Sequence, residues 1–367
     1  MIERSLDRVL DRWVVRRLAA PRSALVVAIG GSTLGGSGKT PLAIACATEL
    51  ARAGTRCVLV GHAYRADPRR ARFVLRGDRL DEVGDEALLA ARALEPVGAR
   101  VVVGPSRAQA FALAARTADV VVLDGVAQLS PVRATLALLS VDAAEPWGRR
   151  PSALAPLGSL RAPVAKLVAA CDAIVPFAQE DDDSGLEECA RVGRPMWPAR
   201  VESRGAYDDR GMLLTWETLR SSRVGLLLAL GRPERILRGL GRRGVFPRAI
   251  VCGRDHGPFG AWPRWVARRA VARGIDVWLA TAKCALHAGP ALAGMPVALL
   301  EHSVALDPVL RNRLRGIGAA AALTRGEGTN SLELLESTSQ VLSMADAWVP
   351  PVQPPAGVKI SMRRHRP

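Results

Sequence analysis

The chain has 367 residues, 49% of them hydrophobic, which is long and apolar enough for about two globular domains with buried cores. Its formal net charge of +16 favours an anionic partner: a nucleic acid, an anionic membrane or a phosphorylated substrate. Only four of its 51 basic residues are lysine, and a GC-rich genome would produce the same excess of arginine.

The six cysteines are scattered without a CxxC motif, so neither a zinc site nor a disulfide framework is indicated. No segment approaches the roughly 20 apolar residues of a transmembrane helix and no signal peptide is recognisable, so we expect the chain to stay on the cytoplasmic side.

The first twenty residues carry an apolar stripe at helical spacing. The stripe consists of Ile2, Leu6, Val9, Leu10, Trp13, Val14 and Leu18, and five arginines supply the polar side. This pattern predicts an amphipathic helix over residues 1–20 that binds an anionic membrane surface, with Trp13 at the depth of the headgroups. A surface helix packed on the neighbouring domain would show the same stripe, and the sequence leaves both interpretations open.

Apolar segments of strand length alternate with segments of helix length through most of the chain. The first series covers residues 24–29, 57–60, 100–103, 120–123 and 136–141, and the second covers residues 224–230, 249–252, 277–280 and 296–300. Such alternation predicts an α/β fold with two α/β/α domains and mostly parallel sheets. We place these domains at residues 21–205 and 206–345, followed by a Pro-rich, basic tail at 346–367. An acidic run at 180–183 is interpreted as a solvated loop.

A glycine-rich segment follows the first predicted strand and precedes a predicted helix, which is the position of a phosphate-binding loop. Its glycines would let successive N–H groups converge on phosphate oxygens, Lys39 adds a positive charge, and the hydroxyl of Thr40 can bind Mg²⁺. The general pattern GxxxxGK[ST] has a glycine where this chain has Thr33. We predict that the nucleotide is bound by Thr33, Gly35, Gly36, Ser37, Gly38, Lys39 and Thr40.

Three acidic or histidine positions are candidates for the remaining chemistry. Asp124 follows a predicted strand and precedes a glycine, which is where a Walker B carboxylate for Mg²⁺ belongs, although an aspartate there can also cap a turn. Asp85 stands before a predicted helix, where it can also act as an N-cap. His256 is one of only five histidines and lies in a glycine-flanked loop after a predicted strand, which suits proton transfer.

In this order, these motifs resemble the tetraacyldisaccharide 4′-kinase (lipid A 4′-kinase) family. Residues 30–41 read GGSTLGGSGKTP, similar to the family loop G-N-x-[ST]-x-G-G-[TS]-G-K-T-P, which also has Ser or Thr in place of the first general glycine. Residues 83–89 resemble V-G-D-E-P-x-L, residues 99–104 resemble P-V-x-V-G, and residues 231–236 resemble G-x-P-E-x-F. Residues 255–257 resemble part of F-x-D-H-H, and the resemblance spans most of residues 1–300.

The resemblance implies a P-loop NTPase-like fold and phosphorylation of the 4′-hydroxyl of a lipid A disaccharide 1-phosphate precursor, with ATP and Mg²⁺. It also implies a peripheral enzyme at the cytoplasmic face of the bacterial inner membrane, with residues 1–20 on the anionic bilayer. Asp85 and His256 would form the dyad that activates the sugar hydroxyl, and Thr40 and Asp124 would hold Mg²⁺.

Several family positions are changed in this chain. The paired acids of the family motif D-D-G-x-Q-H read Leu123-Asp124, and the glutamate of L-R-E-P reads Ala162. A relative that binds nucleotide or lipid without transferring phosphate is therefore an alternative. A P-loop NTPase acting on nucleic acid is a third possibility that rests on charge alone. We expect no nucleic-acid partner, because aromatic residues are only 4% of the chain and no nucleic-acid motif occurs.

Overall fold

The computed structural model describes residues 14–18, 24–148, 154–155, 157–179, 185–230, 233–255 and 257–327. Within these ranges the strands are β1 (Val15–Arg17), β2 (Leu25–Gly31), β3 (Cys57–Val60), β4 (Arg72–Phe73), β5 (Arg100–Val103), β6 (Val120–Asp124), β7 (Gln128–Ser130), β8 (Leu136–Asp142), β9 (Ala173–Gln179), β10 (Ala199–Glu202), β11 (Gly205–Tyr207), β12 (Leu213–Thr215), β13 (Val224–Leu228), β14 (Ala249–Cys252), β15 (Val277–Ala280), β16 (Ala291–Leu292), β17 (Met295–Leu300) and β18 (Ser303–Leu306). The α-helices are α1 (Lys39–Arg52), α2 (Leu80–Val83), α3 (Asp85–Leu94), α4 (Arg107–Ala115), α5 (Val164–Ala170), α6 (Leu186–Ala190), α7 (Trp216–Ser221), α8 (Glu234–Arg242), α9 (Ala261–Ala272), α10 (Ala282–Ala288) and α11 (Pro308–Glu327). None of these helices is both long and apolar enough to span a bilayer.

The first sheet has nine strands in the order β18-β10-β9-β8-β2-β6-β3-β5-β4, and only the two edge pairs are antiparallel. Its central strand β2 shows why the sequence forms a three-layer fold. Val27 and Ile29 are buried in one apolar cluster together with α1, whereas Val26 and Ala28 are buried in a second cluster with α4. Successive side chains on a strand point to opposite faces, so a continuously apolar strand is covered by helices on both sides.

The second sheet runs in the order β12-β11-β17-β15-β13-β14, and strands β13, β14, β15 and β17 are parallel. Its two faces are also both covered. Leu227 packs in a cluster with α9 and α10, and its neighbours Leu226 and Leu228 pack in a cluster with α7 and α8. The prediction of two series of alternating strands and helices is therefore confirmed.

The chain returns to the first sheet at its C-terminal end. Strand β18 pairs antiparallel with β10, and α11 buries Leu310, Leu314 and Ile317 in the same cluster as α1. In this respect the structure differs from the sequence prediction, which assigned all of residues 206–345 to the second domain. Residues 303–327 belong with the first sheet because β10 would otherwise expose an unpaired edge and α1 an uncovered apolar side.

The N-terminal prediction is tested only in part. Residues 15–17 form β1, which pairs with β7, so the predicted helix over residues 1–20 does not continue through them. Val14 and Leu18 of the predicted apolar stripe are buried at 3% and 6% exposure against the first domain. Residues 1–13, the acidic run and the tail lie outside the described residues.

Candidate functional site

The glycine-rich loop connects β2 to α1 at the carboxyl ends of the parallel strands, where α/β sheets bind ligands. Gly38 has φ +79°, and a Cβ atom there would lie 2.6 Å from Cγ of Phe177. Gly38 is therefore required both by the left-handed backbone and by the packing of the Phe177 ring. The hydroxyl of Thr33 donates a 2.8 Å hydrogen bond to the carbonyl of Gly35, so this threonine braces the loop where the general pattern has a glycine.

Lys39 begins α1 and its ammonium group lies in the loop. Nζ is 3.3 Å from Oγ of Ser37, and within the described residues no carboxylate lies within 4.0 Å of it. Burial lowers the pKa of Lys39, and the nearby positive charge of Arg161 lowers it further. A lysine in this state binds a polyphosphate favourably, because an anionic ligand supplies the counter-charge that the protein does not.

Thr40 and Asp124, the two residues predicted to hold Mg²⁺, are in contact. The Thr40 hydroxyl donates a 2.6 Å hydrogen bond to Oδ2 of Asp124, whose residue exposure is 3%. The other oxygen, Oδ1, is buried and has no hydrogen-bond partner, and an unpaired buried carboxylate oxygen is costly unless a ligand satisfies it. Oxygen ligands of this kind fit Mg²⁺. Among the described residues no group of three or more His, Cys, Asp or Glu side chains is arranged to hold a metal, so phosphate and water would complete the coordination.

Two arginines give the site an excess of positive charge around Asp124. Arg107 donates a hydrogen bond to the Asp124 carbonyl, and burial lowers its pKa to about 10. Arg161 has a pKa lowered by burial and by Arg16, and its Nε is buried without a hydrogen-bond partner. Several cations share one carboxylate here, so the bound species expected at this position is a polyanion.

Asp85 lies at the start of α3, where its carboxylate contacts the second domain. Oδ1 accepts a 2.8 Å hydrogen bond from the backbone N–H of Glu86, and Oδ2 is 3.1 Å from Nε2 of His287 on α10. The two side chains are only 3% and 7% exposed. The ammonium of Lys283, one turn earlier on α10, is 3.9 Å from the same oxygen. Asp85 is thus the acidic centre of a buried interdomain cluster.

The predicted partner of Asp85, His256, lies outside the described residues, so the Asp85–His256 dyad stays a prediction. The preceding residue, Asp255, is close to the cluster, because its Oδ1 is 3.3 Å from Nζ of Lys283. Its carbonyl accepts a 2.8 Å hydrogen bond from Arg65 of the first domain.

Sequence reasoning missed His287. The available signal was the spacing of Lys283 and His287, which puts both side chains on one face of a helix that follows a parallel strand.

A second interdomain contact, made by Arg235 of α8, was also missed. Its guanidinium donates a hydrogen bond to the carbonyl of Gly36 in the glycine-rich loop. It also forms an ion pair with Asp142 at the end of β8, at 3.3 Å, and the Arg235 side chain is only 16% exposed. The phosphate loop is therefore touched directly by the second domain.

Comparison with known proteins agrees with this geometry. The family model for tetraacyldisaccharide-1-P 4′-kinase (LpxK) matches residues 8–317. The chain belongs to this family. A tetraacyldisaccharide 4′-kinase from Anaeromyxobacter sp. (strain Fw109-5) is 34% identical over 344 residues, covering 89% of this chain and 86% of the relative. A relative of the same name from Methylorubrum populi is 33% identical, covering 82% and 86%.

The family also accounts for the fold. The crystal structure of LpxK from Aquifex aeolicus in complex with ATP matches with a TM-score of 0.63 at 20% identity, covering 87% of this chain and 95% of that one. This confirms the predicted P-loop NTPase-like α/β fold.

The two positions at which the resemblance leads us to expect acids, Leu123 and Ala162, are both apolar and buried in this chain. Leu123 is fully buried in the core cluster that includes Phe111, on the opposite face of β6 from Asp124. Ala162 is fully buried in a cluster with Leu160 and Leu167. Both positions are filled by packing, and the acidic groups nearest to the loop and to Lys283 among the described residues include Asp124, Asp85 and Glu86.

Proposed function

We propose that this chain transfers the γ-phosphoryl group of ATP to the 4′-hydroxyl of a lipid A disaccharide 1-phosphate precursor. The observation that carries the proposal is that the glycine-rich loop and the buried acidic cluster around Asp85 both lie at the junction of the two domains, where Arg235 contacts the loop and His287 contacts Asp85. Glu86 is near both: its carboxylate is 3.9 Å from Nζ of Lys283 in the cluster, and its negative charge partly offsets the lowering of the Lys39 pKa by burial. A donor nucleotide and a hydroxyl acceptor would therefore meet between the two groups.

The chain's own residues define the donor side. The loop backbone and Lys39 would bind the phosphates of the substrate ATP, and Arg107 and Arg161 would stabilise the charge on the transferring group. Thr40 and Asp124 would hold Mg²⁺, which when bound neutralises charge on the β- and γ-phosphoryl oxygens. The orphaned oxygen of Asp124 is the atom available for this role.

On the acceptor side, the sugar hydroxyl must lose its proton as the new P–O bond forms. In this proposal His256 takes the proton and Asp85 stabilises the resulting imidazolium, as the family resemblance implies. His287 and the N–H of Glu86 hold the Asp85 carboxylate in one orientation at the domain junction, so the carboxylate does not rotate away from it. Fixed orientation of the acid–base group is what the reaction requires, since misplacement by about 1 Å can cost about 100-fold in rate.

The proposal also places the protein on the cytoplasmic face of the inner membrane, with the part of residues 1–20 that precedes the buried Val14 as one contact to the anionic bilayer. Support for this location comes from the apolar stripe and arginines of the sequence and from the lipid nature of the proposed acceptor.

The direct test is transfer of radiolabelled γ-phosphate from ATP to a detergent-dispersed tetraacyldisaccharide 1-phosphate. Lys39→Ala, Asp85→Ala and His256→Ala should each reduce transfer at least about 100-fold. Arg116→Ala and Asp209→Ala are matched controls that remove exposed charges elsewhere and should leave the rate unchanged. The proposal is refuted if the wild-type protein leaves the acceptor unphosphorylated while Lys39→Ala binds ATP as well as the wild type does.

The replacement of two family acids by Leu123 and Ala162 favours one second candidate, a relative that binds ATP and lipid without turnover. Restoring the acids as Leu123→Asp and Ala162→Glu distinguishes the candidates. A large gain in transfer rate would show that these positions limit the present enzyme. Wild-type transfer that equals that of the restored protein would exclude the second candidate.

A further inference from the structure

Helix α9 on the second domain presents two large aromatic side chains to solvent. Trp262 is 69% exposed and Trp265 is 43% exposed, and their rings stack with centroids 4.9 Å apart. The guanidinium of Arg269, one turn later, lies 5.4 Å from the centre of the Trp265 ring. The opposite side of α9 is buried through Ala267 and Ala270, so the aromatic side is not needed for the core.

Beside Trp265 the surface opens into a cavity of about 440 Å³ with basic walls. Four arginines line it: Arg223, Arg248, Arg269 and Arg273. Arg223 pairs with Asp276 at 3.1 Å. Within the part of the chain that the structure describes, the other three have no carboxylate within 4.0 Å. Apolar residues, among them Val266 and Ile275, also line the cavity.

The sequence around this face carries charge of one sign only. Between residues 257 and 275 there are four arginines, at positions 264, 268, 269 and 273, and no aspartate or glutamate. Exposed tryptophans flanked by arginines are the composition of a helix lying in a membrane interface. Indole rings favour the boundary between headgroups and acyl chains, and guanidinium groups bind lipid phosphates.

We propose that this α9 face, made of Trp262, Trp265, Arg269 and Arg273, is a docking surface for an anionic phospholipid bilayer. It lies on the second domain, whereas the described residues 14–18 pack on the first. The tryptophans insert at headgroup depth and the arginine-lined cavity binds the phosphate of a lipid headgroup. A second copy of this chain fits the face less well, because a twofold contact through it would bring the arginines of both copies together.

The α9 face lies close in the chain to residues of the acidic cluster. Helix α9 starts six residues after Asp255, whose carboxylate contacts Lys283 in the acidic cluster. The docking face and the acidic cluster therefore belong to neighbouring segments of the second domain. Binding of the bilayer does not depend on the identity of the phosphoryl acceptor, so the proposal stands apart from the kinase assignment.

The test is flotation of the full chain with vesicles of phosphatidylglycerol and phosphatidylethanolamine, compared with vesicles of phosphatidylcholine alone. Trp262→Ser with Trp265→Ser, and Arg269→Glu with Arg273→Glu, should each lower the partition coefficient for the anionic vesicles by about tenfold or more. Leu75→Ser and Arg116→Glu are matched controls that change an exposed apolar and an exposed basic residue on the first domain, and they should bind as the wild type does. All variants are repeated with Trp13→Ser so that binding through residues 1–20 does not hide the loss.

The proposal is overturned if both double variants, shown to be folded by thermal unfolding, float as the wild type does in both backgrounds. It is also overturned if the variants abolish self-association or binding to duplex DNA while vesicle binding is unchanged. Phosphoryl transfer to a detergent-dispersed acceptor is measured on the same proteins. Transfer that persists in the double variants separates loss of docking from loss of catalysis, and vesicle binding by a wild type without transfer would refute the kinase proposal alone.

Discussion

The contact between Asp85 and His287 gives the sharpest prediction, because it joins the two domains at the proposed acceptor site. His287→Gln removes the imidazole that contacts the Asp85 carboxylate. The side chains of Asp85 and His287 are only 3% and 7% exposed, so water replaces the lost hydrogen bond poorly. A hydrogen bond to a charged group contributes about 1.5–3 kcal/mol, and we expect a loss of about 2 kcal/mol of folding stability. The Lys283 ammonium at 3.9 Å remains and limits the loss.

The assay is a double-mutant cycle with His287→Gln, Asp85→Asn and the double variant, measured by urea unfolding and by phosphoryl transfer. If the pair acts as a unit, the double variant loses less stability than the sum of the single losses, by about 1 kcal/mol or more. In transfer, kcat should fall by about 100-fold in each single variant with little change in KM for ATP, because the ATP-binding loop is untouched. Additivity within about 0.5 kcal/mol, together with an unchanged kcat for His287→Gln, would refute the reasoning.

Four further predictions concern the loop and the domain junction. Gly38→Ala should abolish ATP binding and lower the unfolding temperature, because its Cβ would lie 2.6 Å from Cγ of Phe177. A Cβ at Gly35 would have no atom within 4 Å, so Gly35→Ala should leave the unfolding temperature unchanged, and equal effects of the two substitutions would contradict the packing argument. Burial lowers the pKa of Lys39, so the unfolded chain binds more protons and the stability of the fold should rise with pH toward 10.5. Lys39→Met should unfold at a higher temperature than the wild type without ATP, should show no such rise of stability with pH, and should gain no stability from ATP. Arg235→Ala should raise the Kd for ATP in isothermal titration by about tenfold through loss of the contact to Gly36, and Arg116→Ala, which changes an exposed arginine away from the loop, is the control. The hydrogen bond from Arg204 lowers the pKa of Glu301, so the pair stabilises the fold above the ordinary carboxyl pKa and this stabilisation is lost as the pH falls. Glu301→Gln should therefore flatten the acid side of the profile of stability against pH, and an unchanged profile would contradict this prediction.

The strands and the phosphate loop were predictable because their signals are local. A run such as residues 120–123 is apolar at every position, and the loop combines glycines with Lys39 and Thr40 at fixed spacing. Thr40 and Asp124 could be placed near each other in advance, since the loop before Thr40 follows β2 and Asp124 ends β6, which is a parallel neighbour of β2.

The features that sequence reasoning missed depend on contacts between distant segments. His287 is 202 residues from Asp85 and Arg235 is 199 residues from Gly36, and no local pattern marks either as a partner. Strand β18 was missed for a related reason. Strand β18 has only four residues, most of them not fully buried, and its strand conformation depends on pairing with β10. In the sequence, β10 comes before all strands of the second sheet.

The return of the chain explains how these long-range contacts are made together. The second sheet is inserted between β10 and β18, which pair with each other, so the chain enters and leaves it through adjacent crossings. Arg204 and Glu301 face each other across these crossings, with the backbone N–H of Arg204 donating a 2.6 Å hydrogen bond to Glu301. Rotation about this junction would move Arg235 relative to the phosphate loop and His287 relative to Asp85 in one motion. Because both interdomain contacts depend on the same relative position of the domains, the proposed function implies that a nucleotide at the loop and an acceptor near Asp85 should each favour the other's binding.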